Sequence, residues 1–181
     1  SFAADTWSAA VAGIDDNFAT GTMSTTSSPV EVISLTALDL LTAEIPYGSL
    51  EPGDNTGTLS ASTTVLSVGN TGLDQEVSGE AMCGTFAVGN LCPVSGTSTI
   101  PEGEQQFASS SLAYNSPIAL TLATTTQELE LDVLKSTSTS TPSSGVTYFG
   151  IEVPISITLA GNYQGLNTFV AKTAEAIDWT P

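Results

Sequence analysis

The 181 residues contain no histidine and no arginine, and lysine occurs only twice, at Lys135 and Lys172. Without histidine there is no nucleophile–histidine relay and no zincin signature. Zinc needs about four nitrogen or sulfur ligands, and Cys83 and Cys92 are the only cysteines. Against 19 acidic residues the two lysines leave a net charge of −17. That balance excludes binding to phosphate backbones, which requires Lys and Arg to release counterions. It likewise disfavours anionic lipid surfaces. No long apolar run is present, so no transmembrane segment is expected. No Asn lies in an acceptable Asn-x-Ser/Thr sequon.

What is present is a chain 40% hydrophobic and only 12% charged, long enough for one core-forming domain and too apolar to be solvation-dominated. Ser and Thr make up 50 of the residues and carry the polar surface that Lys and Arg usually supply. Almost nothing is offered to trypsin-like proteases. Cys83 and Cys92 are separated by eight residues, and a local disulfide between them is expected, implying an oxidising compartment. Closing so short a loop contributes about 2–3 kcal/mol in the chain-entropy model. Ser1 reads as a mature terminus, so export with a cleaved signal peptide and an extracellular or cell-surface location are expected.

The chain is punctuated for β-structure. Pro52-Gly53-Asp54 launches the Thr/Val-rich run Thr58–Val68, and Asn70-Thr71-Gly72 closes it. Val30–Ala43, Asp74–Met82 and Gln105–Ser109 read as further strands, and Gly84–Thr99 as loop. Ile118, Leu120 and Leu122 alternate with small residues, and Leu129, Leu131 and Val133 alternate with Glu128, Glu130 and Asp132. Joined by Thr-Thr-Gln, these two runs read as a hairpin with one buried face. Val146–Leu159 and Tyr163–Thr173 read as a last strand pair, with Pro154 demoting the former to an edge or bulge. Before them, Ser136–Ser144 reads as an exposed hairpin tip, and Ser136, Thr137, Ser138, Thr139, Ser140 and Thr141 as candidate O-glycosylation sites.

Many short strands with turn signals at this spacing predict an all-β fold, a jelly-roll or Ig-like antiparallel β-sandwich over residues 23–181. Residues 1–22 are expected outside that core. Trp7, Val11, Ile14 and Phe18 fall at helical spacing, whereas Trp7, Ala9 and Val11 alternate as a strand would. The carboxylates Glu128 and Glu130 share one strand face; their alternation with Leu favours solvated side chains over a glycosidase pair. Asp74-Gln75-Glu76 reads as surface. Asp15-Asp16-Asn17 and Asp54-Asn55 offer oxygen ligands, so Ca²⁺ is the one cofactor the composition leaves room for, and none is otherwise expected. Lys172 is a candidate for an isopeptide bond with a neighbouring Asn or Asp. Trp179 reads as core packing or a contact surface.

Two stretches carry a resemblance. Asp16-Asn17-Phe18-Ala19-Thr20-Gly21-Thr22-Met23 resembles a signature near the mature N-terminus of the TasA/camelysin family. Leu50-Glu51-Pro52-Gly53-Asp54, with Val65–Gly72 after it, resembles that family's Pro-Gly-Asp and Asn-x-Gly elements, and Val153–Ala171 is similar to the end strands of such surface domains. The resemblance implies a secreted, jelly-roll-like subunit that polymerises into fibres, as archaeal bundling pilins and threads do, each copy's N-terminal segment completing the next copy's sheet. Phe2, Ala4, Trp7, Ala9 and Val11 would then be the donor residues, and the partner would be a further copy of the chain. The metallopeptidase activity attributed to camelysins does not carry over to a chain without histidine. The alternatives are a monomeric surface or carbohydrate-binding module, which would need aromatics such as Tyr47, Tyr114, Tyr148 and Tyr163 on a platform, and an acidic hydrolase.

Overall fold

A computed structural model describes residues 6–12, 14, 20–25, 30–31, 33–42, 44–93, 98–138 and 140–179. The chain divides into two units, Ser1–Leu35 and Thr36–Pro181.

In the first unit the described residues are extended. Strands β1 (Thr6–Trp7), β2 (Ala10–Val11), β3 (Ser24–Thr25) and β4 (Val30–Glu31) form two antiparallel pairs. Trp7 lies opposite Val30 and Val11 opposite Ser24, with a further bridge from Ile14 to Thr20. Trp7 and Val11 thus lie in two separate short strands with Ala9 between them, and no helix runs through the described residues here. Ala9 and Val11 are exposed. Phe2, Ala4 and Phe18, together with Asp15-Asp16-Asn17, lie outside the described residues.

The second unit is an all-β sandwich. Its strands are β5 (Leu38–Leu40), β6 (Ala61–Ser67), β7 (Leu73–Gly79), β8 (Met82–Cys83), β9 (Thr99–Ile100), β10 (Gln105–Ala108), β11 (Leu120–Thr121), β12 (Gln127–Val133), β13 (Ser144–Ile151) and β14 (Asn167–Thr173). A five-stranded sheet has the order β11-β10-β13-β6-β5 and a three-stranded sheet the order β12-β7-β14; β8 and β9 form a small pair. All these pairings are antiparallel. Short 3-10 turns occupy Glu102–Glu104 and Ala176–Trp179. Among the described residues no helix is long and apolar enough to cross a membrane.

Period-two side chains from both sheets meet in the core. Ala61, Phe107 and Phe149 of the larger sheet pack on Val77 and Leu129 of the smaller one, joined by Leu122. The Phe107 and Phe149 rings stack with centroids 6.0 Å apart, and Phe169 meets Phe149 edge-on at 6.1 Å. A second cluster of Val65, Leu73 and Val133 lies toward one end and a third of Ile100, Ile151 and Ile157 forms separately. The Pro52-Gly53-Asp54 turn forms as expected: the Asp54 amide donates to the Glu51 carbonyl at 3.0 Å, with Gly53 at φ +91°. The turn docks on the end of β13, Gly53 donating to the Val153 carbonyl at 2.7 Å.

Three expected connections are corrected. The runs 118–122 and 129–133 are not a hairpin: β11 pairs with β10 in the larger sheet and β12 with β7 in the smaller. Likewise β13 pairs with β10 and β6, whereas β14 pairs with β7, so the last two long strands face each other across the core. The Ser/Thr tract 136–144 therefore bridges the sheets and is no hairpin tip. Its Ser136 hydroxyl donates to the Ser67 carbonyl at 2.6 Å and accepts the Ser143 amide at 2.8 Å. Thr137, Ser140 and Thr141 are exposed and Ser138 is half-buried, while Thr139 lies outside the described residues. Alternation specifies that a strand has one buried face, but not which sheet supplies it.

Packing at the sheet ends is close enough to test. A Cβ at Gly79 would overlap the Leu122 side chain and stand 2.7 Å from Asn167 Oδ1, and Leu122 is itself buried. Gly103 has open space around it. Gly79→Ala is expected to lower unfolding stability by about 1–3 kcal/mol through overpacking. Gly103→Ala should stay within about 0.5 kcal/mol of the parent, both read from urea midpoints at unchanged slope.

Candidate functional site: a groove beside the smaller sheet

Both sheets have open flanks. β5 has β6 on one side and β14 has β7 on one side, with no described strand on the other. Unpaired main-chain donors and acceptors on such flanks are templates for another strand. Residues along β14 alternate between half-buried and exposed. Its inward Phe169 packs on the core, and Val170 is 41% exposed.

A groove of about 1000 Å³ lies within the second unit, between the segment 44–52, the end of β13 and the start of β14. Its apolar lining includes Ile45, Tyr47, Ile151, Ile157, Tyr163 and Phe169. The sequence places these side chains there by two devices. The Pro52-Gly53 turn anchors segment 44–52 on the end of β13, and Ile45 and Tyr47 then pack against the core. Pro154 ends the extended run, and the Ile157 amide donates to its carbonyl at 3.0 Å, which returns Ile157 to the interior. The disulfide pins the same end. Cys83 and Cys92 are bonded, with Cα atoms 5.7 Å apart, and Cys83 exchanges two main-chain hydrogen bonds with Gln164 of the lining.

Polar side chains among the lining residues are buried beneath the groove. The Tyr47 hydroxyl donates to Gln105 Oε1 at 2.8 Å, and Asn167 Nδ2 donates to the same oxygen at 3.2 Å. Gln105 Nε2 and Thr63 Oγ1 are buried with no hydrogen-bond partner among the described residues. Leaving such atoms unmet costs roughly 1–3 kcal/mol each. Burial pushes the Tyr47 phenol well above its usual range, so it remains a neutral donor. The arrangement suits an extended apolar segment that brings its own backbone donors and acceptors.

The remaining sequence-picked residues are dispersed. Glu128 pairs with Lys172, which also lies 3.6 Å from Glu76, so Lys172 is engaged with two carboxylates. Glu130 points to a different cluster, so Glu128 and Glu130 are not a catalytic pair. Asn55 Oδ1 accepts the Gly57 amide at 2.8 Å within a turn. The Trp179 indole donates to the Ala174 carbonyl at 2.8 Å, half-buried at the foot of β14. Asp74 and Gln75, expected at the surface, are wholly buried. The signal for Gln75 was available: it sits between Leu73 and Val77 at period two. Compared with known proteins, the chain matches no family model, no curated protein and no solved structure.

Beside the groove, the Tyr114 hydroxyl donates to the Glu104 carbonyl at 2.8 Å. Burial, then the charges of Glu104 and Glu152, push the Tyr114 phenol up to about 12. Partial burial, then the Glu152 charge, also raises the Glu104 carboxyl. An acid with a raised folded pKa binds more protons when folded, so stability falls as pH rises from the unfolded value toward the folded one. Glu104→Gln is thus expected to stabilise the chain modestly at pH 7 and to leave it unchanged at pH 3, below the unfolded value. Urea midpoints at both pH values check this; equal effects would refute the assignment.

Proposed function

We propose that the chain is a non-enzymatic, secreted subunit of an extracellular filament, a pilus or biofilm-matrix fibre, in which the N-terminal segment of one copy lies in the groove of the next. The observation that carries this reading is the groove itself, whose lining includes Ile45, Ile157 and Phe169, next to β14, which has no described strand on its outer flank. Strand addition supplies main-chain hydrogen bonds and seats alternate side chains in pockets. The first unit brings suitable material: its described residues include four short strands, and Val11 is 70%, Ile14 67% and Met23 64% exposed. Thirteen extended residues span about 40 Å, enough to cross a sandwich. A contact between two different faces repeats without closing, which generates a fibre. The resemblance of residues 16–23 and 50–54 to TasA-like subunits points the same way, and the disulfide fits an oxidising exterior.

A second reading has its own observation. Tyr47, Phe86 and Tyr163 line the groove, and a monomeric carbohydrate-binding module would use such rings as stacking surfaces.

Negative-stain electron microscopy of the purified chain is expected to show thin fibres with a regular repeat. Deletion of residues 1–13 should leave only dispersed particles, and a synthetic peptide of those residues should bind the truncated chain. Dispersed particles from the full chain in every buffer, with saturable glycan binding instead, would favour the second reading.

A further inference from the structure

We propose that Asp74, Glu130, Asp132 and Glu175 form a calcium-binding site on the outer face of the three-stranded sheet. One carboxylate oxygen from each residue lies within 4.8 Å of the others. Asp74 comes from β7, Glu130 and Asp132 from β12, and Glu175 from just beyond β14, so all three strands contribute. Glu130, Asp132 and Glu175 are exposed.

Exposed acids gather on many surfaces, and the distinguishing observation here is Asp74. It alternates with Leu73 and Gln75, which face the core, so it belongs to the outward face, yet it is completely buried. Its Oδ1 accepts the amide hydrogens of Leu131 and Asp132, both at 2.8 Å, where β12 bulges away from its regular register. Its Oδ2 is buried with no hydrogen-bond partner among the described residues. A buried carboxylate oxygen left unpaired beneath three further carboxylates is strongly disfavoured unless a cation completes it. Lys172 stands opposite Asp74 in the β14 register, but its ammonium is held by Glu76 and Glu128.

The donor set names the ion. Four carboxylates without nitrogen or sulfur suit a hard cation. Calcium takes six to eight oxygens at about 2.4 Å in flexible geometry, whereas magnesium demands a near-ideal octahedron at about 2.1 Å. The exposed side leaves room for waters to fill the six to eight positions calcium takes. None of the four residues lines the groove, so this site stands independently of the filament reading.

The test is isothermal titration of the full chain with CaCl₂ at fixed ionic strength, paired with thermal unfolding. One saturable site is expected, with a dissociation constant on the order of 10⁻⁵ to 10⁻³ M. At a hundredfold excess over that constant the melting temperature should rise by roughly 5–10 °C. The double variant Glu130→Gln/Glu175→Gln alters only exposed groups and should lose both responses. Glu80→Gln/Glu102→Gln, with the same change in net charge elsewhere, should keep them. Asp74→Asn should also lose binding, but the exposed pair carries the test whether or not that variant folds. Equal responses in both double variants, or a melting shift reproduced by NaCl of matched ionic strength, would overturn the site. MgCl₂ binding as tightly as CaCl₂ would overturn the assignment to calcium.

Discussion

Burial of a narrow aromatic seam between two unequal sheets is the interaction on which the second unit depends. Phe149, in the middle of the larger sheet, stacks on Phe107 beside it and takes the edge of Phe169 from the opposite sheet. Around that contact Ala61, Val77, Leu122 and Leu129 exclude water, and each long strand must present its apolar period to this layer. Gly79 meets Leu122 too closely for any side chain, which fixes how near the two can approach. With five strands facing three, the smaller sheet leaves part of the larger one uncovered. Segment 44–52 fills only some of the remainder, and the groove is what is left.

The second constraint is charge. A chain at −17 with two lysines has no cationic partners to distribute, so its acids must be solvated, spread apart or gathered around something not encoded by side chains. Lys172 serves two carboxylates at once, holding Glu128 of β12 and Glu76 of β7. One turn of the pleat away, Asp74, Glu130, Asp132 and Glu175 converge without such help. A divalent ion there would tie β7, β12 and the end of β14 together on the outer face. It would also reduce the repulsion that opposes stacking subunits, which is felt over a Debye length of about 8 Å at physiological salt.

Groove and first unit complement one another in chemistry. The groove offers aromatic and aliphatic walls with two unmet polar atoms buried beneath them, and the first unit offers short strands with exposed Val11, Ile14 and Met23. Both features carry a cost in an isolated chain, one as unsatisfied polar groups and the other as apolar surface in water. The filament contact proposed above would cover the exposed apolar side chains of the first unit.

Composition and period-two patterning were enough to determine the all-β class, the Pro52-Gly53-Asp54 turn, the Cys83–Cys92 bond and the solvated row of acids on β12. These are local properties: turn chemistry, one buried face per strand, and two thiols that short spacing brings together. Which sheet each strand joined was decided by tertiary structure alone. The runs ending at Leu122 and Val133 look like neighbours because both alternate, yet the core accepts an apolar face from either side, and the link between them crosses it. The burial of Asp74 was hidden for a related reason. A carboxylate on an outward position is normally solvated, and only the bulge of β12 and the return of the chain after β14 bring Glu130, Asp132 and Glu175 over it. The groove, likewise, belongs to no segment of the sequence, because it is the space that eight strands in two unequal sheets do not fill.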